Sequence, residues 1–304
     1  MKNKVVAIVG PTATGKTEIA VDIAKKLNGA IVNLDSVQIY KMADIGSAKP
    51  SKKIIEIIPH YLIDQFEPNE KVDMKRIIEI ATEIGKKIID ENKLPIYVGG
   101  TGLYFKALFY GIFDGPSKNQ EIRDRLKKIK EEKGSKYLYQ ELQKVDPETA
   151  SRISENDYIR IERALEVYYT TGKTISYLQK NQKKEIEFDF IKIGLNIDRK
   201  ELYERIEKRV DKMIEDGLIE ETKNILKKYP DSMVIQTAIG YKEVKDFLDN
   251  KIDYEKMVYL IKRNTRRFAK RQLTLFRAID GIKWFKPSDV DNIIDFIRKK
   301  LSEN

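Results

Sequence analysis

Apolar positions in the first hundred residues follow two alternating periods. Val5 to Val9 is an unbroken apolar run, Ala30 to Leu34 is a second ending at Asp35, and Pro95 to Val98 is a third ending at Gly99-Gly100. Short continuous runs of this kind read as strands buried on both faces. Between the last two, Val72 to Ile89 carries Ile77, Ile80, Ile84 and Ile88 at helical spacing. Strand–helix alternation predicts a parallel sheet with crossover helices, in which ligands bind at the carboxyl ends of strands. Gly10 onward, Asp35-Ser36 and Gly99-Gly100-Thr101 all fall at such ends.

The pattern changes near Gly111-Ile112-Phe113-Asp114-Gly115-Pro116, where two glycines and a proline mark a break. From Asn119 to about Gln182 it is helical and charged, and Phe188 to Leu195 reads as a strand again. A helix is predicted from an Asp198 N-cap to a stop at Gly217, and the remaining residues are mostly helical. The expected class is α/β: a P-loop NTPase-like parallel sheet core with an inserted all-helical subdomain and a helical C-terminal region. The division drawn is 1–113 for the core, 114–194 for the insertion and 195–304 for the rest of the core.

Composition narrows the chemistry. With no cysteine, thiol nucleophiles, zinc–thiolate sites and disulfides are excluded, and the single histidine, His60, reads as a packed loop residue. No apolar run approaches the ~18 residues of a membrane span, so a cytoplasmic protein is expected. The net charge of +10 favours a polyanionic partner only if the cations cluster.

Residues 10–17, Gly10-Pro11-Thr12-Ala13-Thr14-Gly15-Lys16-Thr17, match G-x-x-x-x-G-K-[ST] between a strand and a helix. Loop amides and a helix N-terminus there favour a phosphate or diphosphate, with Lys16 on its oxygens and the Thr17 hydroxyl suited to Mg²⁺. Asp35, beside such a ligand, could hold Mg²⁺ through water or act as a general base. Arg205 and Arg209 share one helix face, opposite Leu202, Ile206 and Val210. Lys262 to Arg271 holds six basic residues and no acid, with Arg263, Arg266, Arg267, Lys270 and Arg271 recurring at helical spacing. Such a stripe suits a nucleic-acid backbone.

Taken in order, GPTATGKT, LDSVQIY with GSAKP after it, PHYLID, VGGTGLYFKAL, NDYIRIERALEVY, DRKELYERIEKRV, AIGYKE and RRFAKRQLTLFR resemble the tRNA dimethylallyltransferases (tRNA isopentenyltransferase family) from residue 10 to residue 277. The resemblance implies Mg²⁺-dependent transfer of a dimethylallyl group from its diphosphate to N6 of the adenosine 3′ to the anticodon. It implies Asp35 as the base, Thr101 touching both substrates, and Lys16, Thr17, Arg199 and Arg205 around the diphosphate. It places tRNA contacts at Asp35, Ser36, Val37, Gln38, Thr101, Arg123, Ile159, Arg160 and Arg163, with Arg263, Arg266, Arg267, Lys270 and Arg271 gripping the anticodon stem. If about five phosphates are neutralised, log affinity should fall with log salt at a slope of about −3.5 to −4.5. Larger family members carry a C-terminal zinc finger; the lack of cysteine indicates the short bacterial type, expected as a monomer. Three other readings are an ATP-dependent small-molecule kinase, an isopentenyltransferase acting on free adenine nucleotides, and a non-catalytic RNA-binding protein.

Overall fold

A computed structural model describes residues 2–111, 115–181 and 186–303. Among these residues six strands form one sheet: β1 (Asn3–Val9), β2 (Gly29–Asn33), β3 (His60–Tyr61), β4 (Leu94–Gly99), β5 (Phe188–Leu195) and β6 (Lys283–Phe285). Their order is β3-β2-β4-β1-β5-β6, and every neighbouring pair is parallel. Central β1 and β4 are the apolar runs of the sequence, with Val5–Val9 and Ile96–Tyr97 fully enclosed between two helical layers. On one side Ile19 and Ile23 pack with Ile293 and Ile297 of the C-terminal helix Val290–Ser302.

The register brings the strand ends level. Val9 pairs with Gly99 on one side and with Gly194 on the other, and Asn33 pairs with Val98. The loops opening at Gly10, Leu34 and Gly100 therefore leave the sheet along one edge. β1 and β4, adjacent in the sheet, connect onward in opposite directions, which puts a crevice outside their carboxyl ends.

The chain divides into two compact units, 1–109 with 186–304, and 110–185. The sequence had placed the second limit at 194. Residues 188–194 instead pair with β1, and Leu195 pairs with Phe285 of β6, so these residues belong to the sheet. The break at Ile112-Phe113-Asp114 lies outside the described residues. The second unit is helical and closes around Leu126, Leu138, Leu142, Ile161 and Leu165. Its buried Asp146 caps the helix Pro147–Arg152 and also accepts hydrogen bonds from the Ser176 amide and hydroxyl.

Candidate active site

The loop after β1 is built on unusual backbone. Gly10 (φ 155°) lies against the β5 end, where a Cβ would stand 2.7 Å from the Leu195 carbonyl oxygen. Ala13 (φ 64°) and Gly15 (φ 81°) are left-handed, and Ala13 is held there by the loop around it. Gly15 starts the helix Lys16–Lys26 without any side-chain cap, which leaves the first-turn amides open to a ligand. Thr14 is buried and donates its hydroxyl to the Pro11 carbonyl at 2.8 Å. Lys16 Nζ donates to the same carbonyl at 2.6 Å, so the ammonium rests on its own loop.

The loop borders a cleft of about 1060 Å³. Thr17, Asp35, Thr101, Arg205, Arg209 and Arg271 also line it. Lys16 has its pKa lowered to about 7, by burial first and by the Arg209 charge second, with Asp35 and Glu18 opposing. Burial also lowers Arg209, again against Asp35 and Glu18. Among the described residues, no carboxylate forms an ion pair with either cation. Two half-enclosed cations lowered by burial, one of them also by the charge of the other, are the electrostatic signature of a site shaped for an anion.

Asp35 stands in electrostatic reach of both. Its Oδ1 accepts from the amides of Val37 (2.8 Å) and Gln38 (3.3 Å), which fixes the carboxylate plane and leaves Oδ2 uncommitted to these amides. Thr101 Oγ1 accepts from the Ser36 amide at 3.1 Å, so its own hydrogen is free to point elsewhere. The following loop is clamped from outside. Glu221 accepts from the amides of Asp44, Ile45 and Gly46 and from the Tyr241 hydroxyl. A Cβ on Gly46 would strike the Tyr241 ring at 2.5 Å.

Several expected ligand residues have other engagements. Arg199 is exposed, does not line the cleft, and donates to the Tyr203 hydroxyl. Arg205 lines the cleft but pairs with Glu201 at 2.7 Å. Arg209, one turn further on the same face, is the arginine beside Lys16. The Thr12 amide donates to Gln272, while Gln38 is buried and donates its amide to the Ser47 and Ala48 carbonyls. His60 sits on edge strand β3 with Nδ1 2.7 Å from the Ile58 carbonyl, and burial lowers its pKa.

The basic stripe occupies the helix Tyr254–Arg277. Acids absent from its own sequence come from the neighbouring helix Arg199–Glu215: Glu207 pairs with Arg266 and Asp211 with Lys262. Arg267, Lys270 and Arg271 are exposed and meet no acid among the described residues. Arg263 packs its guanidinium on the Tyr259 ring and bonds Asn264. In the helical unit, Arg123 and Arg163 both bind the buried Glu166 carboxylate, at 2.7 Å each. Burial would raise Glu166, but the hydrogen bonds of Arg123, Arg163 and the Asn119 amide outweigh it and hold the pKa at about 2. Ile159 is 77% exposed and Arg160 makes only a 3.4 Å pair with Asp157.

Among the described residues no three histidine or acidic side chains cluster as a metal-binding set. Thr17, at the start of the helix after the loop, brings a hydroxyl to the cleft that would suit Mg²⁺. No helix among the described residues is long and apolar enough to cross a membrane.

A parallel sheet, a phosphate loop at its carboxyl edge and an anion-seeking pair of cations define a P-loop type of α/β protein. The family model described as IPP transferase matches residues 38–279. A tRNA dimethylallyltransferase of Caldanaerobacter subterraneus subsp. tengcongensis is 47% identical, with 99% of each chain covered. A crystal structure of the full-length tRNA isopentenylpyrophosphate transferase of Bacillus halodurans superposes with TM-score 0.74 at 38% identity, covering 99% of this chain and 97% of that one. A eukaryotic dimethylallyltransferase described as acting on tRNA superposes with TM-score 0.80 at 30% identity, covering 98% of this chain and 77% of that one. The chain belongs to the IPP transferase family.

Proposed function

We propose that this protein transfers a dimethylallyl group from dimethylallyl diphosphate to N6 of the adenosine 3′ to the anticodon of tRNA, and that it does so in the cytoplasm. The observation that carries the reading is a carboxylate, Asp35, held in electrostatic reach of two cations that form no ion pair among the described residues. The activity named for the relatives favours this over ATP-dependent phosphorylation or prenylation of free nucleotides.

The diphosphate lies on the open first-turn amides of the Lys16–Lys26 helix, with Lys16 released from the Pro11 carbonyl to meet it and Arg209 opposite. Mg²⁺, when bound through Thr17 and the phosphate oxygens, supplies further charge neutralisation. The prenyl tail points toward the apolar stretch of the cleft made by Val210, Met213, Ala238, Ile239 and Ile261. The purine leaves its stack to reach Asp35. Its N6 attacks the allylic C1, the C1–O bond breaks, and its electron pair departs on the diphosphate. Asp35 takes the N6 proton, and Thr101 is placed to donate its hydroxyl to the base or the diphosphate. Arg267, Lys270 and Arg271, with Arg263, hold RNA phosphates; Ile159 and Arg160 offer an exposed contact on the helical unit.

Incubation with Mg²⁺, dimethylallyl diphosphate and unmodified tRNA, followed by nucleoside mass analysis, is expected to show one added dimethylallyl group per tRNA. Asp35→Ala should lower the rate by about 10²–10⁴ while tRNA binding survives. Equal loss of binding and turnover would remove Asp35 from the role of base, and phosphoryl transfer from ATP without tRNA would overturn the reading.

A further inference from the structure

One polar side chain of the basic helix hydrogen-bonds two loops of the cleft. Gln272 is 5% exposed and sits one residue after Arg271. Its Oε1 accepts from the Thr12 amide at 2.9 Å, and its Nε2 donates to the Gly100 carbonyl at 2.8 Å. Thus the helix, the phosphate loop and the loop after β4 meet on a single carboxamide. The seat beneath is cut for it. A Cβ on Gly100 would lie 2.2 Å from Gln272 Nε2, and one on Gly102 would lie 2.5 Å from Leu275. The helix therefore rests on bare backbone at two points. One residue beyond Gly100, Thr101 holds the Ser36 amide beside Asp35.

We infer that Gln272 is a positioning residue that couples RNA engagement of the basic helix to diphosphate binding in the loop; this rests on the function proposed above. Phosphates gripped by Arg267, Lys270 and Arg271 fix the helix. Through the carboxamide they also fix Thr12 on one side and Gly100–Thr101 on the other. The entropy of ordering these two loops is then lost once, not again when the diphosphate arrives. By linkage, each ligand tightens the other by the same factor.

The test measures binding of inorganic pyrophosphate with Mg²⁺ in the presence and absence of unmodified tRNA. For the unaltered protein, tRNA is expected to tighten pyrophosphate by about fivefold or more. Gln272→Met keeps the length of the side chain but neither hydrogen bond, and should bring the ratio to one with tRNA affinity unchanged. Gln272→Glu retains an acceptor for Thr12 and loses the donor to Gly100, so it too should lose most of the ratio; it serves if the methionine variant does not fold. A ratio of one in the unaltered protein, or the same ratio in a folded variant, overturns the inference while leaving prenyl transfer standing. Failure of the unaltered protein to bind tRNA at all would instead sink the proposed function, and this inference with it.

Discussion

Two places in the molecule hold a close pair of cations, and they differ in what sits between them. In the helical unit, Arg123 and Arg163 close on the buried Glu166, whose carboxylate is fully hydrogen-bonded. In the cleft, Lys16 lies in electrostatic reach of Arg209, Asp35 is near but pairs with neither among the described residues, and each cation has its pKa lowered. The first arrangement is complete without a ligand and serves the fold. The second is complete only with an added anion. Charge alone does not mark a binding site; the missing partner does.

Removing the resident anion from the first pair should give the largest effect. Glu166→Ala removes the buried carboxylate between two part-buried guanidinium groups and leaves Arg123 only its 3.7 Å pair with Glu162, and the helical unit is expected to lose about 3–5 kcal/mol in urea unfolding. A loss below about 1 kcal/mol, the scale of exposed pairs, would erase the contrast with the cleft. The acid limb gives the same test a sign. Because Glu166 is held at about 2, below its ordinary 4.5, its contribution is complete above pH 4.5 and fades as pH falls toward 2. Stability of the alanine variant should therefore change less across that window than stability of the unaltered protein.

For the second pair the readout is protons. Lys16 free of ligand titrates near 7, so at pH 8 it is mostly neutral, and a bound diphosphate restores the charge. Calorimetry of dimethylallyl diphosphate binding at pH 8, in buffers of different ionisation heat, should register uptake of about one proton. Affinity should weaken as pH rises above 7. Lys16→Arg carries a permanent charge and should take up none. Uptake that survives this substitution would assign the proton to another group and detach Lys16 from the anion.

What the sequence made legible was local. The loop at residues 10–17, the acid at a strand end and the glycines after β4 each announced themselves by a few neighbours, and parallel register did the rest. Partners supplied across long separations were silent. Glu207 and Asp211 lie some fifty residues before the stripe whose charge they cancel, so a run without an internal acid read as wholly free. Glu166 sat inside an apolar helical pattern that gave no hint of two arginines converging on it. Gln272 was one polar residue in a cationic run, and only its reach to Thr12 and Gly100 distinguishes it. Arg205 and Arg209 shared a face by spacing, but which one meets Lys16 depends on the tilt of the helix against the sheet. The strand at 188–195 was visible, yet its membership in the sheet needed β1 beside it.

The same contrast of satisfied and unsatisfied charge divides the basic helix, where the smallest effects are expected. Arg266 is bound to Glu207, whereas Arg267, the next residue, is exposed and unpaired among the described residues. Counterion release counts only cations that a phosphate can claim. Arg267→Gln and Lys270→Gln should each reduce the magnitude of the salt slope of tRNA binding by about 1. Arg266→Gln should leave that slope unchanged and cost under about 1 kcal/mol of stability, because it breaks a half-exposed pair on the protein's own surface. Four cations then remain for RNA in place of the five read from spacing. If Arg266→Gln flattens the slope as much as Arg267→Gln does, Glu207 must surrender its partner when RNA arrives. Pairing in the free protein would then no longer separate cations that hold the fold from cations that hold the substrate.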